Sequence, residues 1–290
     1  MYPELKDIKI VCCNNNYKHL KEYLDGNFPG VEVILWREEY QDPFEENQHY
    51  LCVRHVPRFS QKSVPGPPGS WRYFPLIRRE DRADYGIPLE ATTGKANLIP
   101  YTPYAVPLFP RNCKVSFLNT EHCTDKYLLE YIRRYIPDTM EIYDYSLANL
   151  KILGRGKYLP YPITQSETLT LKSYLSVKVY DVCMVGTFSL RRQNIFFKLL
   201  DAGIKTLFIG YRGKYYFGKE RDTHIGSAKI LLNVHNFPSW RIYESIRCER
   251  WRAAGMPIIS ERSETPVPHG VIECEYNDIV ETVKNELKKL

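Results

Sequence analysis

The chain has 290 residues, more than one ordinary domain needs, so two folded units are expected. Forty basic against thirty-four acidic residues leave a formal net charge of +6, which suits a phosphate-bearing ligand or an anionic surface but does not by itself argue nucleic-acid binding. The mixed charge and ordinary apolar content exclude a disordered chain, and no apolar run reaches membrane-spanning length.

The first elements alternate strand, helix, strand. IKIVCC (Ile8–Cys13) is a continuous apolar run, as in a strand covered on both faces. NYKHLKEYLDG places Leu20 and Leu24 on one helical face, with Gly26 as its stop. VEVILW (Val31–Trp36) and YLCVRHV (Tyr50–Val56) read as the next strands. Between Pro57 and Pro110 lie ten of the twenty prolines, a density that forbids long helices and central strands. That stretch reads as an extended surface arm or as an acceptor-side or oligomer-contact loop. Regular structure resumes with the strand KVSFLNTEH (Lys114–His122), the amphipathic helix Asp125–Ile136 and the alternating segments EIYDYS and SLANLKILG. YLPYPI (Tyr158–Ile163) reads as a hinge.

A second alternating series follows. YDVCMVG (Tyr180–Gly186) is a buried strand, and LRRQNIFFKLLDAG a helix that stops at Gly203. KTLFIG and SAKILLNVH are strands. A helix opened by Ser239 and stopped by Gly255 comes next, with Ile242, Ile246 and Ala253 as the stripe expected to pack on the sheet. MPIISE, a short strand near GVIECE and a closing helix complete the chain. Strands alternating with helices imply parallel sheets. The fold class is therefore α/β, with two Rossmann-like lobes whose parallel sheets face a cleft. Residues 1–162 form one lobe, interrupted by the Pro-rich insertion at about 57–110, and residues 163–290 the other.

Of the eight cysteines none forms a C-x-x-C, and no histidine pair has zinc spacing, so no metal site is expected. Several sit in apolar runs as small hydrophobes, and the N-terminal residues lack a signal-peptide core. Both features point to a reducing, intracellular, cytoplasmic setting.

Ligands of open parallel sheets bind beyond the carboxyl ends of the strands. In GTFSLRR, Gly186 permits close backbone approach, Ser189 can cap the following helix, and Arg191 and Arg192 can pair with phosphate. An ordinary strand-to-helix turn with solvated arginines explains the same residues. Asn233, His235 and Asn236 end a buried strand, where they could read a base or sugar or simply make a turn. Glu244 lies off the apolar stripe of its helix and could accept hydrogen bonds from a ribose diol; an i,i+3 pair with Arg247 is the plainer role. In NTEH, Glu121 or His122 is the candidate general base, against a solvated loop.

The segments DVCMVGTFSLRRQNIFFKLLDAGIKTLFIG and SAKILLNVHNFPSWRIYESIRCERWRAAGMPIISE together resemble the donor-binding lobe of GT-B-fold glycosyltransferases of the group-1-like branch, over about Tyr180–Glu261. FLNTEH and YLPYP resemble first-lobe segments more loosely. The resemblance implies a transferase that moves a sugar from a nucleoside-diphosphate sugar to a hydroxyl of a glycan, protein or small molecule. It implies no metal and no cofactor, the nucleotide sugar being a co-substrate. Gly186 with Arg191 or Arg192 would face the diphosphate, and Asn233 and His235 would border the nucleotide or sugar. Glu244 resembles the ribose-binding carboxylate, and Tyr243 and Arg247 complete the donor set. Many retaining members carry a second glutamate eight positions after the first, where this chain has Arg252. Two other functions fit the same residues: a catalytically silent nucleotide-sugar-binding or scaffold protein, and a transferase that glucosylates DNA.

Overall fold

The computed structural model describes residue 5, residues 7–36, 45, 47–54, 113–136 and 138–290. The Pro-rich stretch, with the expectations attached to it, lies outside the described residues.

The first sheet is built from β1 (Ile8–Cys13), β2 (Val33–Trp36), β3 (His49–Val53), β4 (Lys114–Asn119), β5 (Ile142–Asp144) and β6 (Lys157–Tyr158). They lie in the order β2-β1-β3-β4-β5-β6, and every pairing is parallel. Side chains of β1 enter cores on both faces, which is why its run is apolar apart from Lys9, which pairs with Glu32 and Glu45. Ile8, Ile10 and Cys12 pack with Leu20, Tyr23 and Leu24 of α1 (Asn14–Asn27), while Val11 packs with Tyr50, Cys52 and Ile132 of α2 (Lys126–Tyr135). α3 (Leu147–Leu153) follows β5, capped by Ser146 and stopped by Gly154 at φ 72°.

The second sheet contains β7 (Tyr180–Val185), β8 (Thr206–Ile209), β9 (Ala228–Asn233), β10 (Ile258–Glu261) and β11 (Val271–Cys274), in the order β11-β10-β9-β7-β8, again all parallel. α5 (Leu190–Asp201) and α8 (Ile279–Leu287) cover one face. α4 (Gln165–Tyr174), α6 (Gly218–Gly226) and α7 (Ser245–Ala253) cover the other. In both sheets the chain steps to one side after the first strand and to the opposite side from the third onward. The reversal falls between β1 and β3, and between β7 and β9, the places where departing loops diverge and leave a crevice. No helix among the described residues is long and apolar enough to cross a membrane.

Four expectations need correction. Gly26 does not stop α1, which runs to Asn27; a Cβ there would lie 2.6 Å from Pro162 Cγ, so the glycine serves a close crossing. The supposed hinge is partly core: it contains β6, Leu159 and Tyr161 are buried, and Tyr23 Oη donates to the Leu159 carbonyl at 2.6 Å. α4 and α6 were not foreseen, because each buries few apolar side chains and so shows little periodicity (Leu171 in one, Ile225 in the other).

The fourth concerns α7, which begins at Ser245 rather than Ser239. Tertiary contacts hold the preceding residues in an extended path. Ile242 enters the core of the first sheet with Ile246 packed beside it, Trp240 stacks on His122, and Glu264 N donates to the Arg241 carbonyl at 2.9 Å. The stripe that packs on the second sheet is instead Cys248, Trp251 and Ala254.

Candidate functional site

A cavity of about 330 Å³ opens where the carboxyl edges of the two sheets meet. From the first sheet come His19 and Glu22 of α1, Arg54 just after β3, and Thr120 and Glu121 just after β4. From the second come Gly186 and Thr187 after β7, Arg192 of α5, Trp240 and the start of α7. Its described lining holds five arginines (54, 192, 221, 247, 250) against three glutamates (22, 121, 244), which favours an anionic occupant.

The anion-suited part lies at the end of β7. Gly186 has φ 128°, a conformation that side chains disfavour, and a Cβ on it would lie 2.7 Å from Arg192 Nη1 and 3.3 Å from Arg247 Nη2. The missing side chain is what lets two guanidinium groups approach the turn. Gly210, at φ 115° after β8, lies so near that a Cβ would stand 2.0 Å from the Gly186 carbonyl oxygen. Arg192 is 4% exposed and is held by neutral groups: Nε donates to the Val234 carbonyl at 2.7 Å and Nη1 to that of Thr187 at 3.2 Å. Burial and the neighbouring Arg247 cation push its pKa down to about 9. Ser189 caps α5, its hydroxyl accepting from the Arg192 backbone N–H.

Glu244 stands immediately before α7, and the local geometry answers whether it faces water. Its side chain is 19% exposed, lines the cavity, and accepts a hydrogen bond from His122 Nε2 of the opposite wall. Arg247 Nη2 lies 3.8 Å from the other carboxylate oxygen. Burial alone would raise the Glu244 pKa, but Arg247, His122 and Arg192 outweigh it and hold the carboxyl well below its ordinary range. Arg247 is oriented in turn by Asn233, whose Oδ1 accepts from Nη1 at 2.9 Å while its Nδ2 donates to Ser260 Oγ at 3.0 Å. His122 is buried and lies flat against Trp240, with ring centroids 5.1 Å apart.

The structure thus brings Gly186, Arg192, Glu244, Arg247 and Glu121 to one cavity, with His122 and Asn233 behind them. Asn236 lines it too, whereas Arg191, His235 and Tyr243 do not. Arg191 pairs with Glu261 and stacks over the Tyr276 ring at 3.6 Å, so of the two adjacent arginines only Arg192 faces the site. His235 is buried with its backbone N–H on Glu261 Oε2 at 3.0 Å and its Nε2 on the Arg262 carbonyl at 3.1 Å; burial pushes its pKa down to about 4. Tyr243 turns its hydroxyl to Glu249 Oε1 at 3.0 Å. Glu121 pairs with Arg54, whose Nε also donates to Thr120 Oγ1 at 2.8 Å. Burial raises the Glu121 pKa despite Arg54. Arg252 folds onto Glu249 at 2.8 Å and reaches the His269 carbonyl at 3.3 Å, so the position eight after Glu244 contributes nothing to the cavity.

Sequence reasoning missed Arg54 and the aromatic lining. Arg54 had a signal, a charge inside an apolar strand run; in the fold its φ of 65° turns the chain at the strand end. Arg250 is 7% exposed, gives two 3.0 Å bonds to Asp222 of α6, and donates from Nε to Glu167 of α4 at 2.8 Å. Arg221 extends this network across to Glu22 of α1 at 2.9 Å.

Fold and site together define an α/β protein with two parallel sheets whose carboxyl edges share a cavity biased toward anions. No family model matches the sequence. The chain is similar to uncharacterized proteins of Acanthamoeba polyphaga mimivirus. One is 35% identical over 274 residues, covering 91% of this chain and 36% of the relative. A second is 34% identical over 191 residues, covering 62% of this chain and 21% of the relative. A third is 35% identical over 175 residues, covering 57% of this chain and 56% of the relative. The chain therefore spans about a third, a fifth and little over half of these relatives' lengths.

Proposed function

We propose that the chain is a GT-B-type glycosyltransferase that binds a nucleoside-diphosphate sugar in this cavity and passes the sugar to an acceptor hydroxyl. One observation carries the reading: Glu244 and Arg247 at the start of α7 and Arg192 behind Gly186 converge on one cavity between two parallel sheets. Transfer forms a bond from the acceptor oxygen to the anomeric carbon and breaks the bond from that carbon to the diphosphate, which leaves with the electron pair. Arg192 and Arg247 would neutralise the charge that develops there, in a site partly closed to water where such groups act strongly. Glu244, kept ionised by its cationic neighbours, would accept hydrogen bonds from sugar or ribose hydroxyls. Glu121, raised by burial, is the first-lobe group in this reading that would take the acceptor proton if the reaction inverts. His122 would act through Glu244, which it holds across the cleft.

The test is a thermal-shift and calorimetric panel of UDP-, GDP-, ADP- and dTDP-sugars on the full chain. A ligand at one hundred times its dissociation constant should stabilise the protein by about 2.7 kcal/mol. Glu244→Ala should weaken the effect. Unchanged melting across the whole panel at saturating ligand overturns the reading. Turnover with an acceptor separates an enzyme from a silent binder, and salt-dependent DNA binding would redirect the search to a DNA acceptor.

A further inference from the structure

Asn119, Asp144 and Asn149 are fully buried, although all three are polar. Asn119 and Asp144 end the neighbouring strands β4 and β5 and face each other in register, and Asn149 lies in the first turn of α3. Asn119 Nδ2 donates to Asp144 Oδ2 at 2.6 Å, Asn149 Nδ2 to Asp144 Oδ1 at 3.0 Å, and Ser146 N to Asp144 Oδ1 at 2.8 Å. Three donors thus converge on one side chain. A carboxylate can accept all of them, whereas an asparagine there would turn its own N–H groups toward a donor. Buried polar networks satisfied in this way are rigid and specify one arrangement.

The same amides hold the loop that follows β4. Glu121 N donates to Asn119 Oδ1 at 3.2 Å, and the Glu121 carbonyl accepts from Asn119 Nδ2 at 2.9 Å and from Asn149 Nδ2 at 2.7 Å. Cys123 N donates to Asn149 Oδ1 at 2.8 Å. The backbone is therefore held on both sides of His122, the residue that reaches Glu244 across the cleft. We propose that Asn119, Asp144 and Asn149 form a positioning network that sets the Thr120–Cys123 loop so that His122 orients Glu244. The geometric part stands alone; its consequence for transfer rests on the function proposed above.

The test uses the full chain without ligand, at about pH 8, where Asp144, its pKa pushed up by burial to about 7, is mostly ionised. The imidazole signals of His122, assigned with His122→Gln, are recorded in four proteins: the parent, Glu244→Gln, Asp144→Asn and the double variant. Glu244→Gln should move the His122 signal in the parent. In the Asp144→Asn background that response should be lost, while the variant stays folded. A lowered melting temperature with the His122 signal and its response unchanged overturns the proposal. Asn149→Ala is scored in the same way, and failure of both variants to fold assigns the network to core stability alone and also overturns it. This readout needs no sugar donor, so it fails or succeeds independently of glycosyl transfer. If transfer is established, Asp144→Asn should lower kcat/KM for the donor by about 100-fold, the scale of a small misplacement at a reacting centre, with donor KM raised because Glu244 is a donor-binding group.

Discussion

The two sheets are wound alike yet present opposite chemistry at their carboxyl edges. The second sheet offers two cations without a close anion, beside Arg221 and Arg250, which are paired: Arg192 rests on carbonyls, and Arg247 is held by Asn233 with only a long contact to Glu244. The first sheet has no free cation at its described edge: Arg54 is paired with Glu121, and Glu22 is met by Arg221 of α6 from the second sheet. Winding order creates the crevice and says nothing about its contents, which depend on a few loop residues. An edge with cations to spare gains by taking up an anion, while a self-neutralised edge suits an uncharged partner.

The largest effect that should break this comparison is on stability. Arg250→Ala leaves the half-buried Glu167 and part of the buried Asp222 without their cation, although Arg221 still reaches Asp222 at 2.9 Å. The cost should be about 3 kcal/mol, the lower end for breaking a buried pair, read by urea unfolding. A change below about 0.5 kcal/mol would show that α4, α6 and α7 are held by apolar packing alone.

Next comes the anion edge itself. Arg192→Ala should weaken UDP or GDP by about 10–100-fold in calorimetry, the worth of one or two hydrogen bonds from a charged group. Equal affinity in parent and variant would remove the distinction between the edges.

The two edges should also respond oppositely to pH. His235 has its folded pKa pushed down to about 4 by burial, against about 6.5 when unfolded. The unfolded chain then binds more protons between these values, so His235 makes stability rise with pH across that window. Asp144 has its folded pKa pushed up to about 7 by burial, against about 3.9 unfolded, so it makes stability fall as pH rises over nearly the same range. Each slope is limited to about 1.4 kcal/mol per pH unit. His235→Gln should therefore lose ground to the parent as pH increases from about 4 to 6.5, and Asp144→Asn should gain in that window, both followed by unfolding at fixed ionic strength. Parallel curves for parent and variant would sink either assignment.

The smallest effect concerns the bridge between lobes. Glu22→Gln should cost no more than about 1 kcal/mol, because the pair with Arg221 is partly exposed and Arg221 keeps Asp222. A larger loss would mean that this one contact, rather than the Ile242 core and the His122–Glu244 bond, joins the two halves.

Much of the site was legible because loops after buried strands are where parallel sheets carry ligands. Gly186, Arg192, Glu244 and Arg247 all sit in such loops or at the helix starts that follow them. Adjacent residues on a helix point about 100° apart, so no pattern could choose between Arg191 and Arg192; Glu261 and Tyr276 claimed the first. His235 and Tyr243 had the right residue types, but their hydrogen-bonding groups turn to Arg262 and Glu249.

What the chain order alone determined is the α/β character and the succession of apolar strands, because burial on both faces imposes continuous hydrophobic runs on each strand. Tertiary structure decided where α7 begins, which arginine meets the cavity, and how His122 and Glu244, 122 positions apart, come into contact. Local pattern sums over near neighbours, whereas these outcomes depend on partners brought close only when two sheets pack edge to edge. Ile242 shows the competition directly: helical spacing would have kept it on its own lobe, and burial in the opposite core drew the chain out straight.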